Sequence, residues 1–476
     1  MKLTFDVESR PKFGQLLVFA FQQLLAIMAA TIVVPVIING NAGLAVEDEM
    51  SQAAALFGAG VGTIVYLLFT KFKSPVFLGS SFAFLGSMTA AFAGATTVAL
   101  GYLGLVFGAV FAGLVYVIIA VAVKFAGTRW IEKLMPAVVI GPTVAIIGLS
   151  LAGNAVGDLQ TANAGGSVYV AIVCGIVTLA VTMLSASYGK KMFKLIPFII
   201  GILAGYAVAL VFTLIGNATG NVALKVIDFS AFNNLTVFSV PNFTFLRAFG
   251  AFGELSGSYI LSIAVAYAPV AFVVFAEHIA DHKNLSSIIN RDLLKEPGLH
   301  RTLLGDGVGS MAGALFGGCP NTTYGESIGC VAITGNASIT TIICTAILAI
   351  LISFFSPFIA FLKTIPSCVM GGVCMALYGF IAVSGLKMVQ KVDLEKNKNM
   401  FVVSVILIAG IGGLELAFAD VTITKVACAL ILGILANLML AKSDKSDEGK
   451  TDEKTTETTE TTETAETETQ TTSEEK

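Results

Sequence analysis

Charged residues are scarce in this chain of 476 residues. They make up 12% of it, where an average soluble domain has about 25%, and hydrophobic residues make up 56%. The mean hydropathy is +0.86. So few charges exclude an ordinary soluble protein of this length. Apolar runs of about 20 residues recur along most of the chain, each long enough to cross about 30 Å of hydrocarbon. The sequence therefore predicts an all-α polytopic membrane protein.

Several chemical signatures are also missing. The seven cysteines lie mostly inside apolar runs without metal-type spacing, so we expect packed thiols and no metal site. The sequence has no phosphate loop and no nuclease or hydrolase constellation. We therefore expect no catalytic residue, no cofactor and no nucleic-acid partner. The N-terminus lacks the charged, apolar and cleavage regions of a signal peptide, so we take the first apolar run as a true span.

Fourteen apolar runs are candidate transmembrane spans. The runs 74–92 and 320–334 carry Gly, Ser, Pro, Asn or Thr in mid-run, and 303–317 holds five glycines and Asp306. All three look broken or short, and interrupted spans are tolerated only where protein or a water-filled cavity satisfies their backbone. The predicted spans are 14–38, 51–70, 74–92, 98–123, 134–153, 167–187, 195–216, 256–280, 303–317, 320–334, 337–362, 366–386, 399–417 and 421–441.

The basic residues predict the orientation of these spans. Of the 28 Lys and Arg residues, 24 precede Ser443. If the N-terminus lies inside, only Lys225, Arg247, Lys363 and Lys425 of these fall outside, which is the positive-inside asymmetry of a correct orientation. We therefore expect a multi-pass protein of the cytoplasmic membrane with both termini in the cytoplasm. The segment 443–476 has twelve acidic residues and four lysines in Thr/Glu-rich repeats without an apolar face, so we expect a disordered cytoplasmic tail.

An internal match points to two repeats of opposite orientation. The segments 133–141 and 363–371 share Lys, Pro, Val and Gly at the same spacing. Seven spans separate them, and seven spans also separate the broken runs 74–92 and 320–334. Because an odd number of spans inverts a repeat, this arrangement is typical of secondary transporters, whose paired discontinuous segments form the binding site. We expect a first repeat over 1–216, an outer connector over 217–255 and a second repeat over 256–442.

Two carboxylates lie inside apolar runs. Glu277 and Glu326 each cost roughly 2.5 kcal/mol or more in a membrane unless they face a cavity and have partners. Glu277 could instead be the cytoplasmic end of its span, with its side chain reaching water. No such alternative suits Glu326, because apolar sequence continues past it. Asp306 allows both a structural and a functional role, and His278 is expected to make a structural hydrogen bond.

The two broken runs can form a site for a planar polar ligand. Gly79-Ser-Ser-Phe82 and Pro320-Asn-Thr-Thr-Tyr-Gly325 are unsuited to unbroken helix, so each can leave free backbone N–H and C=O groups at mid-membrane. A half-helix that begins near Gly325 would direct its positive end at the ligand. Glu277 and Glu326 would add side-chain acceptors.

Three long motifs resemble those of the nucleobase–ascorbate transporter family of nucleobase:cation symporters. They are Phe275-Ala-Glu-His-Ile279, Pro297-Gly-Leu-His-Arg301 continuing to Gly307, and Pro320-Asn-Thr-Thr-Tyr-Gly-Glu326. The last motif is close to the form found in bacterial uracil permeases. The resemblance covers roughly residues 10–440, which is everything but the tail.

The resemblance implies proton-coupled uptake of uracil across the cytoplasmic membrane by alternating access. It also implies fourteen spans in two inverted repeats of seven, a core domain and a gate domain that each mix both repeats, and a homodimer. Short antiparallel strands are expected in spans three and ten. By motif matching, the substrate-binding residues are Ser81, Phe82, Glu277, Tyr324, Gly325, Glu326 and Tyr378.

Two departures from the family pattern affect the proton pathway. Uracil members often carry His four residues after Glu277, whereas this chain has Asp281, as many purine members do. His282 is one residue further, about 100° round the helix. The expected proton-coupling residues are therefore Glu277, Asp281 and His282. In span one the family usually shows Gln-His where this chain has Gln22-Gln23, so any role of that His is lost or passes to Gln23.

Other functions remain open alternatives. A purine symporter for xanthine or urate would use the same architecture, but purine members usually carry Gln or Asn beside the span-ten motif, where this chain has Tyr324-Gly-Glu326. An anion transporter of similar architecture needs a positive site, and the sequence offers two acids there without a buried Lys or Arg. A membrane enzyme needs a nucleophile–base pair or a metal cluster. A channel needs no mid-span acids in broken helices.

Overall fold

The computed structural model describes residues 3–127, 130, 136–190, 192–233, 235–418 and 421–442. Within these ranges eight helical segments are long and apolar enough to cross a membrane, and four shorter apolar helices accompany them. The predicted tail 443–476 and residues 133–135 of the internal match lie outside the described residues. The prediction of a helical, multi-pass membrane protein is confirmed.

The first half of the chain contains nine helices among its described residues. Pro197 at the start of α9 has the fixed backbone angle that suits the first turn of a helix. The helices are α1 Phe13–Ala42, α2 Gln52–Phe69, α3 Leu85–Ala93, α4 Val98–Ala126, α5 Ala137–Ser150, α6 Ala152–Leu159, α7 Val168–Tyr188, α8 Met192–Leu195 and α9 Pro197–Thr219.

The second half begins with the short helix α10, which lies in the predicted connector. Eight further helices follow in the described residues. The helices are α10 Thr244–Ala248, α11 Gly257–Ile289, α12 Leu299–Gly317, α13 Gly325–Thr334, α14 Ile339–Ile352, α15 Ser356–Lys363, α16 Ser367–Val389, α17 Asn397–Ile411 and α18 Lys425–Met439.

Two short strands pair antiparallel in the interior of the bundle. Strand β1 (Leu78–Ser80) lies in the predicted span 74–92, and strand β2 (Asn321–Thr323) lies in the predicted span 320–334. The ladder continues past the strands, since the Ser81 amide donates to the Pro320 carbonyl at 2.9 Å. Pairing satisfies backbone groups that could find no water in the bilayer. The strands thereby allow α3 and α13 to begin in mid-bundle.

The glycine-rich run 303–317 is not broken, contrary to its appearance in the sequence. It lies within α12, a continuous helix of 19 residues. Its glycines permit a close approach to α2: a Cβ on Gly58 would lie 2.4 Å from the Gly313 carbonyl oxygen, and one on Gly62 would lie 2.7 Å from that of Gly309. Small residues at such positions stabilise helix pairs in membranes by close packing. This packing outweighs the low helix propensity of glycine.

The predicted span 337–362 is divided in the structure. Helix α14 ends at Ile352 and α15 starts at Ser356, with Pro357 in its first turn. The main chain at this break bonds to the connector, because the Ser239 amide donates to the Phe354 carbonyl at 3.0 Å. The apolar pattern predicted a continuous helix here. Instead, a hydrogen bond to a residue distant in sequence replaces a bond within the helix.

A second strand pair lies between the last two helices, α17 and α18. Strands β3 (Leu416–Phe418) and β4 (Val421–Ile423) form an antiparallel hairpin between α17 and α18. These residues fall at the end of the predicted span 399–417 and at the start of the predicted span 421–441. Helices α17 and α18 are accordingly shorter than the predicted spans.

The N-terminal segment packs on the loop after α13. The Thr4 amide donates to the Gly335 carbonyl at 2.8 Å, and the Ile339 amide donates to the Val7 carbonyl at 3.0 Å. Arg291, in the loop after α11, pairs with Asp6 at 2.6 Å. The start of the chain and the loops after α11 and α13 therefore lie on one side of the bundle.

Candidate functional site

A cavity of about 450 Å³ lies where the two broken segments meet α11 and the facing helices α5, α9 and α16. We call it the site cavity. Its volume falls in the range of about 300–1,000 Å³ that is usual for small-molecule sites. Of the predicted substrate-binding residues, those that line it are Ser81, Phe82, Glu277, Tyr324, Gly325 and Glu326. Tyr378 does not line the cavity, but its ring lies edge-on to that of Phe82 with centroids 6.2 Å apart.

Three carboxylates face the site cavity. Glu277 and Asp281 lie one helical turn apart on α11, and Glu326 is the second residue of α13. The Thr323 hydroxyl donates to Asp281 Oδ2 at 2.8 Å. Helix α11 continues to Ile289, so Glu277 is not at the end of its helix. The alternative that Glu277 is the cytoplasmic end of its span stays a prediction, because this helix of 33 residues is longer than the roughly 20 that cross a bilayer.

The N-terminus of α13 opens directly onto the site cavity. Gly325 is its first residue and is exposed there, and a Cβ at this position would meet nothing within 4 Å. The free backbone N–H groups and the positive helix end favour a ligand with acceptor groups or negative charge. Glu326, in the first turn, adds two acceptor oxygens beside these donors. The arrangement can bind a ligand that has both donors and acceptors.

Gln23 supports the start of α13 from behind. Its Nε2 atom donates to the Ser327 hydroxyl at 2.5 Å, and that hydroxyl also accepts from the Phe77 amide at 3.0 Å. Gln23 is only 3% exposed and does not line the site cavity. Gln23 lies where the family usually has His. By binding Ser327, it fixes the neighbouring Glu326 in place. Ser327 was not identified from the sequence.

Tyr324 ties the two strands together. Its hydroxyl donates to the Ser80 carbonyl at 2.8 Å, and a Cβ on Gly79 would lie 2.4 Å from its ring. Glycine at 79 is therefore needed for the ring to lie against β1. The expected role of Tyr324 beside a ligand ring comes in addition to this structural one.

The two histidines of α11 point away from the site cavity. His278 is fully buried, with Nδ1 2.7 Å from Asp306 Oδ2 and Nε2 2.9 Å from the Thr302 hydroxyl. His282 is 1% exposed, with Nε2 2.7 Å from the Tyr66 hydroxyl. Of the three expected proton-coupling residues, the structure brings Glu277 and Asp281 together in the cavity and places His282 elsewhere.

Comparison with known proteins identifies the family. The sequence profile of a group described as the permease family matches residues 14–417. The chain belongs to this permease family. The prediction of a transporter rather than an enzyme is confirmed.

Two relatives of the permease are named uracil permeases. That of Bacillus caldolyticus is 38% identical over 442 residues, covering 92% of this chain and 95% of the relative. That of Bacillus subtilis strain 168 is 38% identical over 438 residues, covering 89% and 92%. The solved transmembrane domain of a cyanobacterial bicarbonate transporter, BicA, has a TM-score of 0.58 at 15% identity, covering 91% of this chain and all of that one. At this identity the likeness shows a shared fold.

The wall of the permease cavity opposite the carboxylates is mainly apolar. It is formed by side chains of α5, α9 and α16, among them Ile147, Phe198 and Leu377. Among the described residues that line the cavity, Lys194 of α8 is the one with a positive charge, and its place there was not predicted from the sequence. Three acids against one exposed lysine make the site unsuited to a bare anion. No group of three His, Cys, Asp or Glu side chains in the described ranges is arranged to hold a metal ion.

Proposed function

We propose that this permease takes up uracil together with a proton across the cytoplasmic membrane by alternating access. The observation that carries the proposal is the meeting of Glu277, Asp281, Glu326 and the open N-terminus of α13 in one cavity. The two relatives named uracil permease, which match nearly the whole chain, support the choice of ligand.

Uracil suits the polarity of this cavity. Its planar ring presents two N–H donors and two carbonyl acceptors. Glu277 and Glu326 accept from the ring N–H groups, and the free backbone N–H groups at Gly325 and Phe82 donate to its carbonyls. A site of fixed donors and acceptors rejects an analogue whose groups do not pair, because buried polar groups are left unmatched.

The carboxylates also supply a place for the coupled proton. Two acids one helical turn apart repel when both are charged, and they lower this cost when they share a proton. Glu277 and Asp281 have this spacing, and Thr323 orients Asp281. A pair that shares one proton carries one negative charge instead of two, which lowers the cost of turning the loaded carrier through the membrane.

We further propose fourteen spans in two inverted repeats, 1–216 and 256–442, joined by the connector 217–255. Three pairs of elements that are seven spans apart lie against one another, which supports an axis between the repeats. Strand β1 pairs with β2, and α2 packs on α12. In the same way α5 packs on α16, where a Cβ on Gly148 would lie 2.3 Å from the Tyr378 carbonyl.

The proposed orientation places both termini in the cytoplasm. The basic loops that the positive-inside rule assigns to the cytoplasm include the one with Arg291, which contacts the N-terminal segment through Asp6. A homodimer is also proposed, on the family resemblance alone.

A purine is the second candidate ligand. Asp281 stands where uracil members often have His, as it does in many purine members, and this observation favours the alternative. The Tyr324-Gly-Glu326 sequence favours uracil.

Competition for uptake tests the proposed function. Cells that express the permease should accumulate radiolabelled uracil, a protonophore should abolish the accumulation, and close uracil analogues should compete while adenine should not. Equal competition by xanthine would transfer the assignment to a purine. If uracil still accumulates in the presence of the protonophore, uptake is not coupled to protons.

A further inference from the structure

Three buried polar atoms lie behind strand β2 without a hydrogen-bond partner among the described residues. They are the Tyr116 hydroxyl of α4, Asp306 Oδ1 of α12 and the Thr322 hydroxyl of β2. Their residues are 2%, 1% and 6% exposed. Buried polar groups in folded proteins nearly always have a partner, and an unpaired one costs about 1–3 kcal/mol. Three such atoms from three elements therefore need a common explanation.

The side chains that carry these atoms lie close together. The Tyr116 hydroxyl lies beside the Thr322 side chain, and the Tyr116 ring lies edge-on to that of His278, with centroids 6.5 Å apart. His278 in turn contacts Asp306 at 2.7 Å. Close packing brings α4 to α12, since a Cβ on Gly307 would lie 2.8 Å from Tyr116 Cβ. Thr322 also lines the site cavity, so the cluster reaches from the cavity into the protein.

We propose that a water molecule binds between Asp306, Tyr116 and Thr322 and links the cavity carboxylates to the Asp306–His278 pair. A buried water typically makes about three hydrogen bonds, and these three oxygens supply that number. The inference rests on the proposed function, because it makes Asp306 a second place for the coupled proton.

The proton step involves only O–H bonds. A proton held by Glu277 or Asp281 passes to the water while the water releases one of its own protons to Asp306. The water is regenerated, and no oxidant or further reactant takes part. His278 Nδ1 lies 2.7 Å from Asp306 Oδ2 and holds the carboxylate in position, and its Nε2 lies 2.9 Å from the Thr302 hydroxyl.

Several titratable groups surround this centre and will affect its pH dependence. Helix α11 contributes most of them, and α2 and α12 contribute one each. They are Glu277, His278, Asp281 and His282 of α11, Tyr66 of α2 and Asp306 of α12.

Two tyrosines form a matched pair for the test. Tyr116 and Tyr267 are both buried, and neither hydroxyl has a partner among the described residues. Tyr267 differs in its surroundings: its ring stacks on Phe84 at 5.6 Å, and the titratable groups that face it are Tyr259 and Cys319, not carboxylates. Replacement by Phe removes one hydroxyl from each site and leaves the ring in place.

The experiment measures uracil binding by calorimetry and proton-driven uracil uptake in proteoliposomes between pH 5 and 8. Tyr116→Phe should keep uracil affinity within about twofold of wild type but slow proton-driven uptake roughly tenfold and shift its pH profile. Tyr116 positions the water and does not itself carry the proton, so its loss should cost less than the roughly 10²–10⁴-fold of a proton-transfer group. Tyr267→Phe should match wild type in both measurements. Asp306→Asn, if it folds, should act as Tyr116→Phe does.

Three outcomes would overturn the inference. The first is a Tyr116→Phe protein whose uptake and pH profile match those of Tyr267→Phe. The second is an equal loss of binding and uptake, which a purely structural role would produce. The third is an uptake that requires Na⁺ and fails when choline replaces it, because the three oxygens would then belong to a cation site. Failure of wild-type vesicles to couple uracil to protons would instead refute the proposed function.

Discussion

The two broken segments share a backbone plan but differ in chemistry. In the first, β1 is followed by a 3₁₀ turn at Phe82–Phe84 before α3 begins at Leu85. In the second, α13 begins at Gly325, two residues after β2 ends at Thr323. The first segment brings Ser81 and Phe82 to the site cavity, neither of them charged, whereas the second brings a carboxylate and an open helix end.

Both segments support the fold, but they contribute unequally to ligand recognition. The pairing of β1 with β2 needs both segments equally, since each satisfies the backbone of the other. The charge that selects a ligand comes from one segment and from α11. If this division is correct, substitutions in the second segment should affect binding far more than equivalent substitutions in the first.

The largest expected effect is that of Glu326→Gln. The change keeps the shape of the side chain but turns one acceptor oxygen into a donor group. If Glu326 accepts from ring N–H groups, uracil binding should weaken by roughly 1.5–3 kcal/mol, the range for a hydrogen bond to a charged group. Isothermal titration calorimetry on the purified protein measures this loss.

Glu415 provides the control for this substitution. It lines a second cavity, of about 320 Å³, which shares Phe82, Ala83 and Ile147 with the site cavity but contains none of the three site carboxylates. Glu415→Gln should leave uracil binding unchanged. Wild-type affinity in the Glu326→Gln protein would rule out the role assigned to Glu326.

The Asp281→Asn substitution should affect transport about as strongly as Glu326→Gln affects binding. It should not change uracil binding itself. One inward proton at 100 mV is worth about 2.3 kcal/mol, or roughly fifty-fold accumulation. The substitution should spare uracil binding and exchange but abolish most of this accumulation. Uptake into proteoliposomes with and without a protonophore measures it. If the variant still concentrates uracil in a protonophore-sensitive way, Asp281 is not needed for coupling.

A paired glycine substitution compares the two segments directly. Gly325 and Gly86 are both exposed, and a Cβ at either would meet nothing within 4 Å. Gly325 lines the site cavity, whereas Gly86 lines the second cavity. Both alanine variants should fold, but Gly325→Ala places a methyl group where the ligand binds and should weaken uracil binding by roughly 1 kcal/mol or more. Equal affinities in the two variants would mean that the ligand does not approach the N-terminus of α13.

The sequence reveals the site carboxylates because polar residues in apolar runs are costly and therefore conspicuous. Glu277 and Glu326 stand out in this way, whereas Asp281 was identified from the family motif, and all three line one cavity. Gln23 and Ser327 do not stand out, because their contact joins residues far apart in the chain. Lys194 could not be found either, since a lysine in a basic loop gives no sign that it will face the cavity.

The wrong predictions about the fold also arise from contacts between residues that are far apart in the chain. Five glycines in 303–317 indicated a break, but the close approach of α2 at Gly58 and Gly62 keeps α12 continuous. The apolar pattern of 337–362 indicated one span, but bonds to the connector at Phe354 divide it. Local composition predicts how a segment behaves alone, whereas both outcomes depend on a partner that packs against it.

The smallest expected effect concerns the N-terminal segment, which packs beside α13. Arg291 contacts Asp6 at 2.6 Å and Glu8 at 2.5 Å, and its guanidinium holds the pKa of the Glu8 carboxyl below its usual value. A lowered pKa contributes stability above the unfolded pKa, near 4.5, that is lost as pH falls through the folded value. Because the pairs are largely exposed, Arg291→Ala should cost less than about 1 kcal/mol at pH 7 and less still at pH 4. Thermal unfolding in detergent at both pH values measures this, with Lys295→Ala, whose side chain is 87% exposed, as the control. A cost that grows as the pH falls would show that Arg291 stabilises the protein by something other than these carboxylates.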